Sequence, residues 1–183
     1  MKQEENNNEN AFLPEGYEAP VVGGFTKFED GENRIRIMSK PVMGWIDWDE
    51  KKPLRFGYKY KPEAPIDPKK PIKHFWAMII WNYKAKCIQI LEITQVGIQN
   101  KIQSLSKDEE WGAPFFYDLK IIKEGSGKET IYVVNPSPKK PLTEEQQKAS
   151  LEKRINLEAL FSNGDPYAAC ENPTALHFQS LPF

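Results

Sequence analysis

Between Trp45 and Trp76 the sequence interleaves positive charge with flat rings. Lys51, Lys52, Arg55, Lys59, Lys61, Lys69, Lys70 and Lys73 supply the charge. Trp45, Trp48, Phe56, Tyr58, Tyr60, Phe75 and Trp76 supply the rings. Single-stranded nucleic acid asks for this combination, because cations neutralise phosphates and rings stack on unpaired bases for roughly 1–3 kcal/mol each, whatever the base. The ordinary fate of such residues competes with that reading: strand aromatics are mostly core, and Lys-rich loops are mostly just solvated. Alternation assigns Phe75 and Trp81 to the core and leaves Trp48, Tyr58, Tyr60 and Trp76 as stacking rings. Lys51, Lys52, Arg55, Lys59 and Lys73 are expected on phosphates. Arg34 and Arg36 follow as second-rank candidates, because Arg34-Ile35-Arg36-Ile37 reads as a half-buried strand with a basic outer face.

Other chemistry finds less support. Asp118-Leu119-Lys120 on a strand, with Asp108, Glu109 and Glu110 upstream, has the acid-x-Lys form that metal-dependent nucleases use to hold magnesium. The motif is short and common by chance. Cys87, Cys170, His74 and His177 are too scattered for a zinc site, a disulfide framework or a nucleophile–base pair. Gly125-Ser126-Gly127 falls in a hairpin turn and does not open a helix as a phosphate-cradling loop does. The expectation is therefore a binding protein with no catalytic residue, metal or cofactor, not an enzyme.

The formal charge of −1 conceals an asymmetry. Residues 1–20 carry one Lys against five Glu, residues 21–141 carry 21 basic against 15 acidic groups, and residues 142–183 carry three against six. A basic body lies between two acidic ends. The longest apolar run, Phe75 to Trp81, is far short of the ~20 residues a membrane span needs. The start, MKQEENNNEN, lacks the basic and apolar regions of a secretory signal, so the cytoplasm is the default placement.

Residues 1–16, rich in Asn and Glu, read as a disordered acidic segment. A first strand runs from Asn33 and resumes after Pro41 to Trp48. Residues 49–72, with five prolines, read as a long loop holding at most a short strand near Phe56–Tyr60. His74–Tyr83 and Lys86–Ile93 read as a hairpin that places Ala77, Ile79 and Trp81 on one face with Ile88 and Ile90. Thr94 starts a helix striped by Val96, Ile98, Ile102 and Leu105. A second hairpin spans residues 115–135. Thr143 and Gln146 form a capping box for a C-terminal helix over 142–162, and residues 163–183 read as a flexible tail. The fold expected is mainly β: a five-stranded OB-like barrel over residues 17–141, with one helix between strands 3 and 4 and a long loop between strands 1 and 2.

Three blocks add a resemblance: K-F-E-D-G-E-N-R-I-R-I-M-S (27–39), H-F-W-A-M-I-I-W-N-Y (74–83) and W-G-A-P-F-F-Y-D-L-K-I (111–121). Across roughly residues 20–140 the chain resembles phage-encoded single-stranded-DNA-binding proteins of the OB type. That likeness implies protection of single-stranded DNA in phage replication, recombination or repair, inside an infected bacterium. It also implies contact with a polymerase, helicase or recombinase. The segment Leu181-Pro182-Phe183 is similar to the Ile-Pro-Phe tip by which bacterial single-strand-binding proteins dock partners, although only Asp165 and Glu171 stand where that family has several aspartates. The zinc ligands of the T-even phage helix-destabilising protein are missing. An acidic tail could also lie over the binding face until DNA displaces it. The alternatives are a strand-annealing or recombination-mediator protein, and an assembly protein whose barrel makes only protein contacts.

Overall fold

Phe75, Ala77, Met78, Ile79, Ile80 and Trp81 are all buried, so the strand they form is covered on both faces. This strand, β5 (Lys73–Asn82), is the middle of the molecule. The structure is a computed structural model that describes residues 24–177. Along one edge β5 pairs with β6 (Cys87–Ile93). Its other edge is shared: the first half takes β3 (Val42–Asp49) and the second half takes β2 (Gly31–Ile37). β2 and β3 are one run of chain bent just before Pro41, whose ring lacks the N–H a ladder needs. Met38 N still donates to Ile79 O across the bend, at 2.8 Å. The β5–β6 turn is tied by Asn82, whose side-chain oxygen accepts from the backbone N–H of Lys84 and Ala85.

Beyond β2 lie β7 (Asp118–Glu124) and β8 (Ile131–Pro136), and a two-residue β1 (Phe25–Thr26) runs parallel to β6 at the opposite edge. With β4 (Lys52–Gly57) the result is a mixed, open sheet of eight strands in a mainly β chain with few helices. A five-stranded OB-like barrel was expected; the sheet has eight strands and is not closed. Closure would need β6 against β8, but β1 occupies that edge of β6, and Phe28 just after it sets its ring 5.7 Å from that of Tyr132 on β8.

The segment expected as a long loop contains β4, which folds back on β3 through a turn at Glu50, a residue in the left-handed region (φ 55°). β4 has no other partner, so Pro53 within it costs no ladder bond. The buried Asp47 carboxylate anchors the rest of the loop by accepting from Ile66 N at 3.0 Å. The two strands meet so closely at Gly44 that a Cβ there would lie 2.0 Å from the backbone oxygen of Phe56. Gly44→Ala is expected to cost at least the ~1–3 kcal/mol typical of overpacking and to part β4 from β3. A urea midpoint equal to that of the parent would refute this.

Each face of the sheet has its own core. On one side α1 (Val96–Lys107) packs Ile98, Ile102 and Leu105 over Ile35, Met78, Leu91 and Leu119. On the other side Met38, Ile46, Phe75, Ile79, Trp81, Ile88 and Ile90 are roofed by Ile155, Leu157 and Leu160 from the C-terminal segment. The helix expected over 142–162 is shorter. Thr143 does cap α2 (Glu144–Glu152) with the reciprocal Gln146 bonds, but the chain then extends to bury Ile155 before a 3-10 turn at Leu157–Ser162. Residues 163–177, expected as free tail, are packed. The Tyr167 hydroxyl donates to Gly24 O, Leu176 bridges to Ser39, and the His177 ring stacks on Phe115 at 4.2 Å.

Candidate nucleic-acid interface

Ile46 pairs with Lys73, so Trp48, two residues along β3, projects from the face that carries Lys73. Around them the β3–β4 turn and the chain leading into β5 converge. Trp48, Glu50, Lys51, Lys69, Lys70, Pro71 and Lys73 line a cleft of about 550 Å³. Trp48 and Lys73 also line an adjoining cleft of about 340 Å³ with Lys27, Phe28, Glu92, Thr94, Gln95 and Tyr132. The two make one groove with Trp48 at its middle. Five lysines face two carboxylates there. One of these, Glu92, is already paired with Arg55, whose Nε lies 2.7 Å from its Oε2. Arg55 was expected on phosphate. Its side chain is mostly buried beside the Phe25 and Phe75 rings, and its charge offsets that of the Glu92 carboxylate in the groove wall.

The opposite face of the β3–β4 hairpin carries a second group of rings. Trp45 donates its indole N–H to Tyr58 O at 3.0 Å, stacks with the Tyr58 ring and lies 5.1 Å from His74. Lys61 caps Trp45 at 4.4 Å from the ring. Tyr58 and Tyr60 are 62% and 74% exposed with Lys59 exposed between them, while Lys52 is exposed at the other end of β4, opposite Asp49. The predicted residues thus divide: Trp48, Lys51 and Lys73 meet in the groove, while Lys52, Tyr58, Lys59 and Tyr60 lie elsewhere on the hairpin.

Trp76 and Arg36 sit differently from expectation. Trp76 is half-buried against the α1 core, with its indole N–H buried and unpartnered. Arg36 is fully buried, because the second half of β2 is flanked by β5 and β7 and covered on both faces. Arg36 Nε donates to Asp118 Oδ1 at 2.8 Å. Arg34 donates to Asp118 Oδ2 through Nε and Nη2, and Lys140 Nζ lies 3.0 Å from that oxygen. Burial alone would raise the Asp118 carboxyl. The bonds from Lys140 and Arg34, the charge of Arg36 and the Tyr83 hydroxyl outweigh it and hold the carboxyl below its usual value. The same carboxylate raises Arg34. Asp118, considered above as a metal ligand, has its oxygens occupied by cations. Lys120 faces Glu32 at 3.9 Å, and Asp108 caps the turn at Glu110 and Trp111. Among the described residues no group of three His, Cys, Asp or Glu is placed to hold a metal ion.

Lys27, Phe28, Thr94, Gln95 and Tyr132 were missed as groove residues. They come from three distant stretches of chain, and no local pattern marks them; only the charge of Lys27 and the ring of Tyr132 could have drawn notice. Leu181, Pro182 and Phe183 lie outside the described residues. Among the described residues no helix is long and apolar enough to cross a membrane. The chain matches no family model, no curated protein and no solved structure.

Proposed function

We propose that the chain binds single-stranded DNA without sequence preference, in the groove centred on Trp48 and Lys73. The observation that carries this reading is one half-buried indole at the middle of a continuous groove with five lysines on its walls. Bases stack on Trp48, with Phe28 and Tyr132 further along, while Lys27, Lys51, Lys69, Lys70 and Lys73 meet phosphates. The sheet is then an OB-type barrel opened at one seam: the order β2/β3, β5, β6, α1, β7, β8 and the pairing of β2 with β7 support that description. The three sequence blocks favour service in phage DNA replication or recombination, with replication proteins recruited through Leu181, Pro182 and Phe183.

The test is intrinsic tryptophan fluorescence titrated with oligo-dT at low and moderate salt, with duplex DNA as control. Single strands should quench the signal, and rising salt should weaken the binding. Lys73→Ala should reduce the slope of log affinity against log salt by about 0.7, the release expected from one single-strand phosphate contact. No quenching at either salt by a folded protein would remove the proposal.

A further inference from the structure

At the other end of β5 from the groove, the charges around Asp118 do not balance. One buried carboxylate accepts from Arg34, Arg36, Lys140 and the Tyr83 hydroxyl, so one negative charge faces three positive ones. Arg36 is spent on the fold: it is buried, and it also donates through Nη1 to the carbonyls of Phe115 and Lys140. Arg34 and Lys140 are different. Their side chains are 36% and 39% exposed. Both touch the same oxygen, Asp118 Oδ2, at 2.6 and 3.0 Å, and both lie over the Tyr83 ring, at 4.4 and 5.2 Å. Their nitrogens are thereby held side by side, close enough for one tetrahedral anion to bridge them. Each also keeps N–H groups that Asp118 does not use. Ordering two long cationic side chains normally costs entropy on binding. Here the carboxylate and the ring order them beforehand.

We propose that Arg34 and Lys140, positioned by Asp118 and Tyr83, form a second phosphate seat that takes a backbone phosphodiester of the strand lying in the Trp48 groove. The inference rests on the single-strand reading for the identity of that phosphate. Arg36 pairs with Trp81 and Ile46 with Lys73, two positions of the same parity on β5, so the seat and the Trp48–Lys73 part of the groove project from one face of the sheet. The length of β5 separates them by roughly 30 Å at about 3.3 Å per residue. The C-terminal segment packs between them, over Phe75, Ile79 and Trp81. A short oligonucleotide reaches one site; a longer one, running past that segment, reaches both.

Two readouts on the full chain test this. First, inorganic phosphate is compared with chloride at matched ionic strength. Phosphate should raise the thermal midpoint of the parent above the chloride control, and Lys140→Gln should abolish that difference. Second, affinities are measured for oligo-dT of about 5 and about 20 nucleotides. Lys140→Gln should weaken the longer roughly 10-fold, and the shorter much less. Arg34→Gln should repeat the pattern, and it decides the matter if Lys140→Gln does not fold. An equal phosphate response in parent and variants overturns the seat. A phosphate response that the variants lose, with neither oligonucleotide weakened, assigns the seat to free phosphate and overturns its place on the strand; equal weakening of both overturns the seat as a second, separate site. If the parent binds no oligo-dT yet shows the phosphate response, the single-strand reading fails and the seat stands.

Discussion

Asp118→Ala is expected to cost the fold about 3–5 kcal/mol, the range found when one partner of a buried ion pair is removed. The cause is Arg36. With Asp118 gone, a fully buried guanidinium keeps two backbone carbonyls but no counter-charge, and Arg34 and Lys140 add like charge beside it. Asp118→Asn keeps the shape and removes only the charge, so it separates electrostatics from the cavity. Urea unfolding at neutral pH measures both, and an Asn variant within about 1 kcal/mol of the parent would show that the cations do not need the carboxylate. Acid should reveal the same linkage. The carboxyl is held below its ordinary 3.8, so its contribution is complete above that value and disappears as the pH falls through the lower folded value. Below about pH 3.8 the stability curves of parent and Asn variant should therefore converge.

Trp48→Ala should weaken binding of oligo-dT by roughly 10- to 100-fold, the equivalent of losing one or two stacked bases. The indole is half-buried and leans on the core beneath the C-terminal segment, so some stability will go with it. Trp48→Phe is the control, since it keeps a flat ring and should retain most of the affinity. Trp76→Phe should change affinity little, because that ring packs on the α1 side of the sheet, away from the groove. Anisotropy of a labelled oligonucleotide is the appropriate measurement, as each variant changes the intrinsic tryptophan signal. Parent-like affinity in Trp48→Ala would dissociate the groove from binding.

Local patterns in the chain carried the elements whose partners are close in sequence. Period-two alternation placed Ala77, Ile79 and Trp81 with Ile88 and Ile90, and all five stand in one core. The helical stripe located α1, and Thr143 with Gln146 located the start of α2. Alternation misjudged Arg36 because it treats charge as a mark of exposure. The counter-ion that makes burial tolerable lies 82 residues away on β7. The same limit applies to Trp76, where a position opposite the obvious core face turned out to meet a second core. It applies again to the groove: Trp48, Lys51 and Lys73 were legible as one basic aromatic stretch, whereas Lys27, Phe28 and Tyr132 join them only through the approach of β1 and β8 at the open seam. Phe25 and Thr26 form β1, but nothing in the local sequence names β6 as its partner.

The roof over the second core sets an order on biosynthesis. Phe75, Ile79, Trp81, Ile88 and Ile90 leave the ribosome some 65 to 85 residues before Ile155, Leu157 and Leu160, which cover them. Until those last residues emerge, one side of the nascent sheet is an uncovered apolar surface, the kind of transient exposure that favours association between chains. The native state is thus completed only after Leu160 has emerged. A chain stopped at residue 141 would hold every described strand and still lack the cover for half of its core.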